Sequence, residues 1–327
     1  MTLLSVLIAS ALIFDFLNGF HDSSNVVATV ISSRAMRPRT ALVMAAIAEF
    51  TAPFLFGVAV ATTVGKEVIE PSAISPDVVL GAVCAAILWN LLTWWLGIPS
   101  SSSHALIGGL LGSSIVANGL GIIQIGGLIK VLIALLISPP LGLVTGFLLM
   151  RVLRYMLRNA TPRVSTTFKR AQVFTALALS LSHGTNDAQK TMGVITMGLV
   201  ASGFQQTFEV PLWVIAASAS AIALGTSLGG WRLIRTLGGR IYKVRPIHGF
   251  TSQAASAAVI FTAALLGGPV STTQVVGSAI MGTGAAERLS KVRWQVGREM
   301  VTTWLLTIPA TAALSALLFL VLQRIFW

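Results

Sequence analysis

Gly19-Phe20-His21-Asp22-Ser23-Ser24-Asn25 and, 165 positions further on, Gly184-Thr185-Asn186-Asp187-Ala188-Gln189-Lys190 are the stretches that decide how this chain is built. Each sets an aspartate three residues after a glycine, inside a long apolar run. A second pair follows in the same order, 170 positions apart: Pro99-Ser100-Ser101-Ser102-Ser103-His104 and Pro269-Val270-Ser271-Thr272-Thr273-Gln274. Both members lead into glycine-rich runs, Gly108, Gly109 and Gly112 in one and Gly277 to Gly284 in the other. Two motif pairs in one order at nearly one offset indicate an internal duplication. One copy covers residues 1–150 and the other 171–327, joined by a basic linker at 151–170.

The sequence around these motifs is that of a membrane protein. Of 327 residues 55% are hydrophobic and 10% charged, and the mean hydropathy is +0.85. A soluble domain carries about 25% charged residues, so this chain lacks the polar groups to coat a water-facing surface. Its apolar runs are about 20 residues long, the length that spans hydrocarbon. A soluble α/β enzyme, a disulfide scaffold (Cys84 is the single cysteine) and a disordered tail are excluded. The first run, Met1–Phe16, lacks a basic leader and a small-residue cleavage site and is expected to be a retained span. Helical segments are expected near 2–32, 40–64, 77–97, 103–117, 127–150, 171–202, 211–230, 246–266, 273–285 and 300–323.

The net charge of +12 would suggest nucleic acid in a soluble protein. Here the basic residues fall in four loops instead: Arg34 to Arg39, Arg151 to Arg170, Arg232 to Arg245, and Glu287 to Glu299. The intervening loops are neutral or acidic, with Lys66, Glu67 and Glu70 in one and Glu209 in another. By the positive-inside rule the basic loops face the cytoplasm. Both termini then lie outside, nucleic acid is no partner, and anionic lipid is an additional attraction for the basic loops. The two copies read in opposite directions across the bilayer. An all-α polytopic fold follows, with two inverted-topology repeats, broken helices and two helical hairpins meeting at the midplane. Inverted repeats with paired interruptions are the sequence hallmark of secondary transporters, whose site lies where the repeats meet.

The chemistry of the motifs agrees. An ionised carboxylate in mid-span costs at least ~2.5–3.5 kcal/mol, so Asp22 and Asp187 need a cation, a proton or a partner. Gly19 and Gly184 are expected to let the chain leave the helix beside them. In the hairpins, proline stops one helix and hydroxyls cap the next. Ser101, Ser102 and Ser103, with Ser271, Thr272 and Thr273, then offer hydroxyl donors and free backbone N–H groups at the positive end of a helix, which suits a small oxyanion. Beside two ionised aspartates such an anion is repelled by about 4 kcal/mol per unit-charge pair at ~4 Å. A cation or proton must therefore travel with it. Lys190 stands where Asn25 stands in the first copy, and at three residues from Asp187 it can pair with that carboxylate or meet the anion. His21, Asn186 and Gln189 flank the aspartates and complete the candidate coupling set. His183, His104 and His248 lie near the same features and titrate in the right range for a proton-coupled cycle. Asp15 and Glu49 have no acidic counterpart in the other copy, and their roles stay open. Neither a cofactor nor a resident metal site is expected. A carrier for another oxyanion such as sulfate, a passive anion channel, and a membrane enzyme using Asp-His pairs are the competing readings.

The paired signatures resemble those of the inorganic phosphate transporters of the PiT type, in the form of the bacterial low-affinity branch. The resemblance covers essentially the whole chain. It implies inorganic phosphate as substrate, with Asp22, Asn25 and the hairpin hydroxyls around it, in a homodimer of the plasma membrane working by alternating access. Two residues depart from the animal-type pattern: His21 in place of an asparagine before the first aspartate, and Lys190 in place of the final asparagine of the second signature. Both favour protons over sodium as the coupling ion, with a divalent metal–phosphate complex as another form of the cargo.

Overall fold

A computed structural model of the chain describes residues 2–69, 74–161 and 163–326; Glu70 lies outside them. The described residues fold as twelve helices. The first six are α1 (Thr2–Ser32), α2 (Pro38–Phe56), α3 (Ala59–Thr62, running into a π turn at Thr63–Glu67), α4 (Pro76–Leu96), α5 (Ser102–Asn118) and α6 (Ile125–Met156). The second six are α7 (Val164–Ala201), α8 (Leu212–Leu228), α9 (Trp231–Arg235, running into a π turn at Thr236–Arg240), α10 (Pro246–Leu265), α11 (Thr272–Glu287) and α12 (Trp294–Phe326). The second set repeats the first element for element. Even the π turns recur, and so do the short 3-10 turns at Leu120–Ile122 and Leu289–Lys291.

Local chemistry explains the ends of these elements. Pro38, Pro76 and Pro246 open α2, α4 and α10 at positions where the missing N–H costs nothing. Ser101 and Ser271 cap α5 and α11, accepting from the backbone N–H of His104 and Gln274. Among the described residues five helices are long and apolar enough to cross a membrane, and α8 with α9, bent by 59°, makes a sixth candidate. α7 is the longest helix but fails that test, because its mid-section carries the polar signature. Every residue from Ser182 to Leu199 is buried in protein instead. The surface presents large apolar side chains such as Leu55, Leu136, Leu305 and Leu317, as lipid-facing helices require.

Two expectations need correction. The helices do not break at the aspartate signatures: α1 and α7 run unbroken through Gly19–Asn25 and Gly184–Lys190. The breaks fall at Gly57–Val58 and Gly229–Gly230, which split the expected segment 40–64 and turn part of the basic stretch 232–245 into helix. α6 and α7 extend into the stretch 151–170 from both sides, to Met156 and from Val164. What Gly19 and Gly184 supply is close approach. A Cβ on Gly19 would lie 2.1 Å from the carbonyl oxygen of Ile222 in α8, and one on Gly184 would lie 2.6 Å from Cα of Glu49 in α2. Both obstacles are backbone, which cannot swing aside. Gly19→Ala and Gly184→Ala are therefore expected to destabilise the fold by about 1–3 kcal/mol each, as overpacked core sites do. A lowered melting temperature of the detergent-purified variants checks this.

Helices from the two halves interlock, with α1 packing on α8, α7 on α2, α11 on α6 and α12 on α5. Two apolar cores result. α1 gives Leu4, Leu7, Ala11 and Phe14 to one core and Val26, Val27, Ala28 and Val30 to the other. α7 does likewise, giving Met192, Val194 and Ile195 to the first and Ala176 and Leu179 to the second. The polar segments 15–25 and 182–191 occupy the layer between the cores.

Candidate functional site

On α1, Asp15, Asn18, Asp22 and Asn25 recur at intervals of three and four and so share one helix face. On α7, His183, Asp187 and Lys190 do the same. These faces meet between the two cores, where Asp22, Asp187 and Lys190 are at most 1% exposed. A buried charge persists only when paired and hydrogen-bonded. Lys190 Nζ donates to Asp187 Oδ1 at 2.6 Å, and His21 Nδ1 lies 2.9 Å from Asp22 Oδ1.

The start of α11 closes the site. Thr272 Oγ1 donates to Asp187 Oδ2 at 3.1 Å and lies 3.4 Å from Asp22 Oδ2, so one hydroxyl bridges both carboxylates. Thr273 Oγ1 is 3.0 Å from Asp22 Oδ1 and accepts from Asn25 Nδ2 at 2.9 Å. The start of α5 approaches from the other half. His104 Nδ1 meets Gln274 Nε2 at 3.4 Å, and Ser103 Oγ donates to the carbonyl of Val270 at 3.0 Å. The two capped helix starts, equivalent by sequence, thus touch tip to tip. The start of α11 sets its N–H groups and helix-dipole positive end against the aspartates, and the start of α5 abuts it.

The remaining candidates divide. Ser102 is buried at the start of α5. Ser101 is engaged twice by His104, through its backbone N–H at 3.1 Å and Nδ1 at 2.6 Å, and Ser271 caps α11. Asn186 donates to Gly268 O at 3.1 Å, holding the turn before α11. Gln189 accepts from Val60 N–H at 2.7 Å and donates to Gly57 O at 2.7 Å, so it satisfies the backbone freed by the break before α3. A polar group so used is a support for bent backbone, and neither Asn186 nor Gln189 makes a hydrogen bond to the aspartates.

Two residues outside the candidate set join the centre. His183 Nε2 lies 3.2 Å from Asp187 Oδ2 and 3.8 Å from Asp22 Oδ2, and its Nδ1 lies 2.9 Å from Glu49 Oε1. Thr226 donates to the other oxygen of Glu49 at 2.5 Å. His183 therefore sits among three carboxylates drawn from α1, α2 and α7. Its spacing of four residues from Asp187 was the available signal. The sequence marked Glu49 as an acid inside an apolar segment but gave it no partner; it reaches the site because Gly184 lets α2 close onto α7. Asp22, His183 and Asp187 also bring one ligand atom each within 4.8 Å of one another, a set that could hold a metal ion. The Lys190 ammonium beside it competes for Asp187, so this set suits a cation in transit better than a resident one.

The site thus offers hydroxyl donors, two helix starts, a fixed ammonium and a carboxylate–imidazole cluster in a buried layer between two apolar cores. A scan against family models matches residues 18–315, all of these groups included, to the phosphate transporter family. The chain belongs to that family. Curated relatives include probable low-affinity inorganic phosphate transporters of Bacillus subtilis, 42% identical over 98% of this chain and 97% of the relative, and of Rhizobium meliloti, 46% identical over 97% and 96%. Among solved structures, one titled the sodium-dependent phosphate transporter superposes with a TM-score of 0.89 at 26% identity, covering 99% of this chain and 100% of that one. As a member of the phosphate transporter family the chain is a multi-pass membrane transport protein, not an enzyme.

Proposed function

We propose that the chain imports inorganic phosphate by proton-coupled symport, with alternating access in a plasma membrane whose cytoplasmic side bears the basic loops. The two sets of six helices act as inverted repeats, residues 1–150 and 171–327, and phosphate binds between the starts of α5 and α11. Thr272, Thr273, Ser102, Ser103, Asn25 and Lys190 are its hydrogen-bonding partners. The printed names of the relatives support the substrate.

The single observation that carries the choice of proton is the 2.6 Å pair between Lys190 Nζ and Asp187. A buried ammonium already neutralises the carboxylate that a mobile sodium ion would otherwise need to occupy. Asp22, Asp187 and Lys190 together still carry one net negative charge, so a phosphate dianion needs further positive charge beside it. His183, with nitrogens facing Glu49 and Asp187, is the group placed to carry a proton between them. The ligand set of Asp22, His183 and Asp187 also fits a divalent cation that enters bound to the phosphate.

Uptake into proteoliposomes under imposed pH, sodium and magnesium gradients, varied one at a time, tests this. Accumulation should follow the inward pH gradient and persist without sodium. A strict sodium requirement would overturn proton coupling, and preferential uptake of sulfate would overturn the substrate. Glu49→Gln removes one terminus of the proton path while keeping a hydrogen-bond partner for Thr226. It is expected to cut pH-driven accumulation by a factor of about 100–10,000, in line with losing one positioned proton-transfer group. Counterflow exchange of phosphate at equal pH, which needs no net proton movement, should be reduced far less.

A further inference from the structure

At the end of the molecule that carries the basic loops, α6, α7, α10 and α11 enclose a groove with two connected parts. One, of about 640 Å³, is lined by Arg154, Arg245, Glu287, Arg288, Ser290 and Lys291. The other, of about 650 Å³, shares Arg154, Arg245 and Glu287, adds Arg158, and continues over Leu157, Val164 and Phe168. Five basic side chains thus surround a single carboxylate. Burial opposes ionisation of Glu287, but hydrogen bonds from Lys291 and His248 hold its carboxyl down at about 2. Glu287 is therefore charged and spoken for, paired with Arg245, Lys291 and His248.

The other three guanidinium groups are not answered. Arg154 donates to the carbonyls of Ala286 and Glu287 at the end of α11, and Arg158 stacks over Tyr155 at 5.0 Å. Neither they nor Arg288 has a carboxylate within ion-pair distance among the described residues. The groove also lies at a definite depth. It starts where the span α6 ends, beside the exposed rings of Tyr155 and Trp294, side chains that favour the headgroup level of a bilayer. A soluble anion would satisfy the cations but leave the apolar arm unused. A headgroup phosphate with an acyl chain fills both parts.

We propose that this groove binds an anionic glycerophospholipid of the adjoining leaflet, its phosphodiester on Arg154, Arg158 and Arg288 and one acyl chain along Leu157, Val164 and Phe168. Basic pockets between membrane helices recognise lipid headgroups by this chemistry. The lipid touches the end of α11, whose beginning carries Thr272 and Thr273. It braces that helix against the α6–α7 connection and sets how readily the Thr272–Thr273 end moves.

Native mass spectrometry of the purified full chain, offered phosphatidylglycerol or phosphatidylcholine in detergent, tests the proposal. Wild type should retain phosphatidylglycerol and not phosphatidylcholine. The doubly substituted Arg158→Gln/Arg288→Gln protein should bind phosphatidylglycerol roughly 30-fold more weakly, from the loss of two basic contacts near the surface. Both side chains lie at the surface, and an unchanged melting temperature in lipid-free detergent verifies the fold. Each single variant should show about a fivefold effect. Inorganic phosphate in excess should leave the bound lipid in place. Equal retention by wild type and double variant overturns the site, and displacement by inorganic phosphate identifies a soluble-anion site instead.

Discussion

Asp187→Asn and Asp22→Asn are each expected to abolish phosphate uptake in proteoliposomes while leaving a folded protein in the membrane. The two fail for different reasons. At position 187 the substitution takes the counter-charge from Lys190, whose ammonium is 1% exposed and 2.6 Å from the lost carboxylate oxygen. Breaking a buried pair from one side typically costs about 3–5 kcal/mol. The site responds by drawing Lys190 onto whatever acceptor remains, and Thr272 keeps only Asp22 as a carboxylate partner. At position 22 the amide keeps a hydrogen-bond acceptor for Thr273 but removes the negative charge that faces His21 and His183. The proton or cation that must accompany the anion then has a weaker place to sit. Charge-assisted hydrogen bonds contribute about 1.5–3 kcal/mol, so transport falls by at least tenfold even where binding survives. Normal uptake by either variant would show that the paired aspartates do not form one coupling site. A monodisperse size-exclusion profile separates loss of transport from loss of fold.

Lys190→Asn is expected to change which ion drives uptake. The substitution gives the second signature the residue that closes the first, Asn25, and leaves Asp187 a buried carboxylate facing only His183 and Thr272. That carboxylate must recover a cation, and with the tethered ammonium gone a mobile sodium ion can supply it. Uptake should fall at least about tenfold without sodium, since an unpaired buried charge costs several kcal/mol. It should recover, with a newly saturable dependence, as sodium is added. Coupling that stays unchanged in ion and pH dependence would reduce Lys190 to a structural partner of Asp187. Lys190→Arg separates charge from shape. It keeps the positive charge, so sodium should remain without effect, while the broader guanidinium misaligns the site and slows uptake.

Much of this was legible in the chain itself, and the reasons are specific. The repeat could be read because a motif that buries a carboxylate in an apolar run is too costly to occur twice by accident. Ser101 and Ser271 could be read as caps because a hydroxyl after proline has one common use at a helix start. Thr272 and Thr273 could be placed near Asp22 and Asp187 because a paired hairpin has little else to point at. The role of Gly19 and Gly184 could not be read. Glycine in a membrane helix serves equally for a break or for a close crossing, and only the neighbouring backbone, Ile222 or Glu49, distinguishes the two. The same ambiguity hid the work of Asn186 and Gln189. Their amides sit beside an aspartate in sequence but turn to Gly268, Gly57 and Val60, on strands of backbone far away along the chain.

The composition and the period of its polar motifs determine an all-helical membrane protein, the recurrence of its polar motifs, and which aspartates and hydroxyls stand inside its apolar runs. Those are consequences of transfer energies and helix ends, which act over a few residues and leave their mark in the sequence. Tertiary structure alone decided that the signature helices stay unbroken and that Glu49 enters the site beside His183. Each depends on how closely α1 and α8, or α2 and α7, approach one another. Such distances are set jointly by residues more than a hundred positions apart, and no local stretch of the chain encodes them.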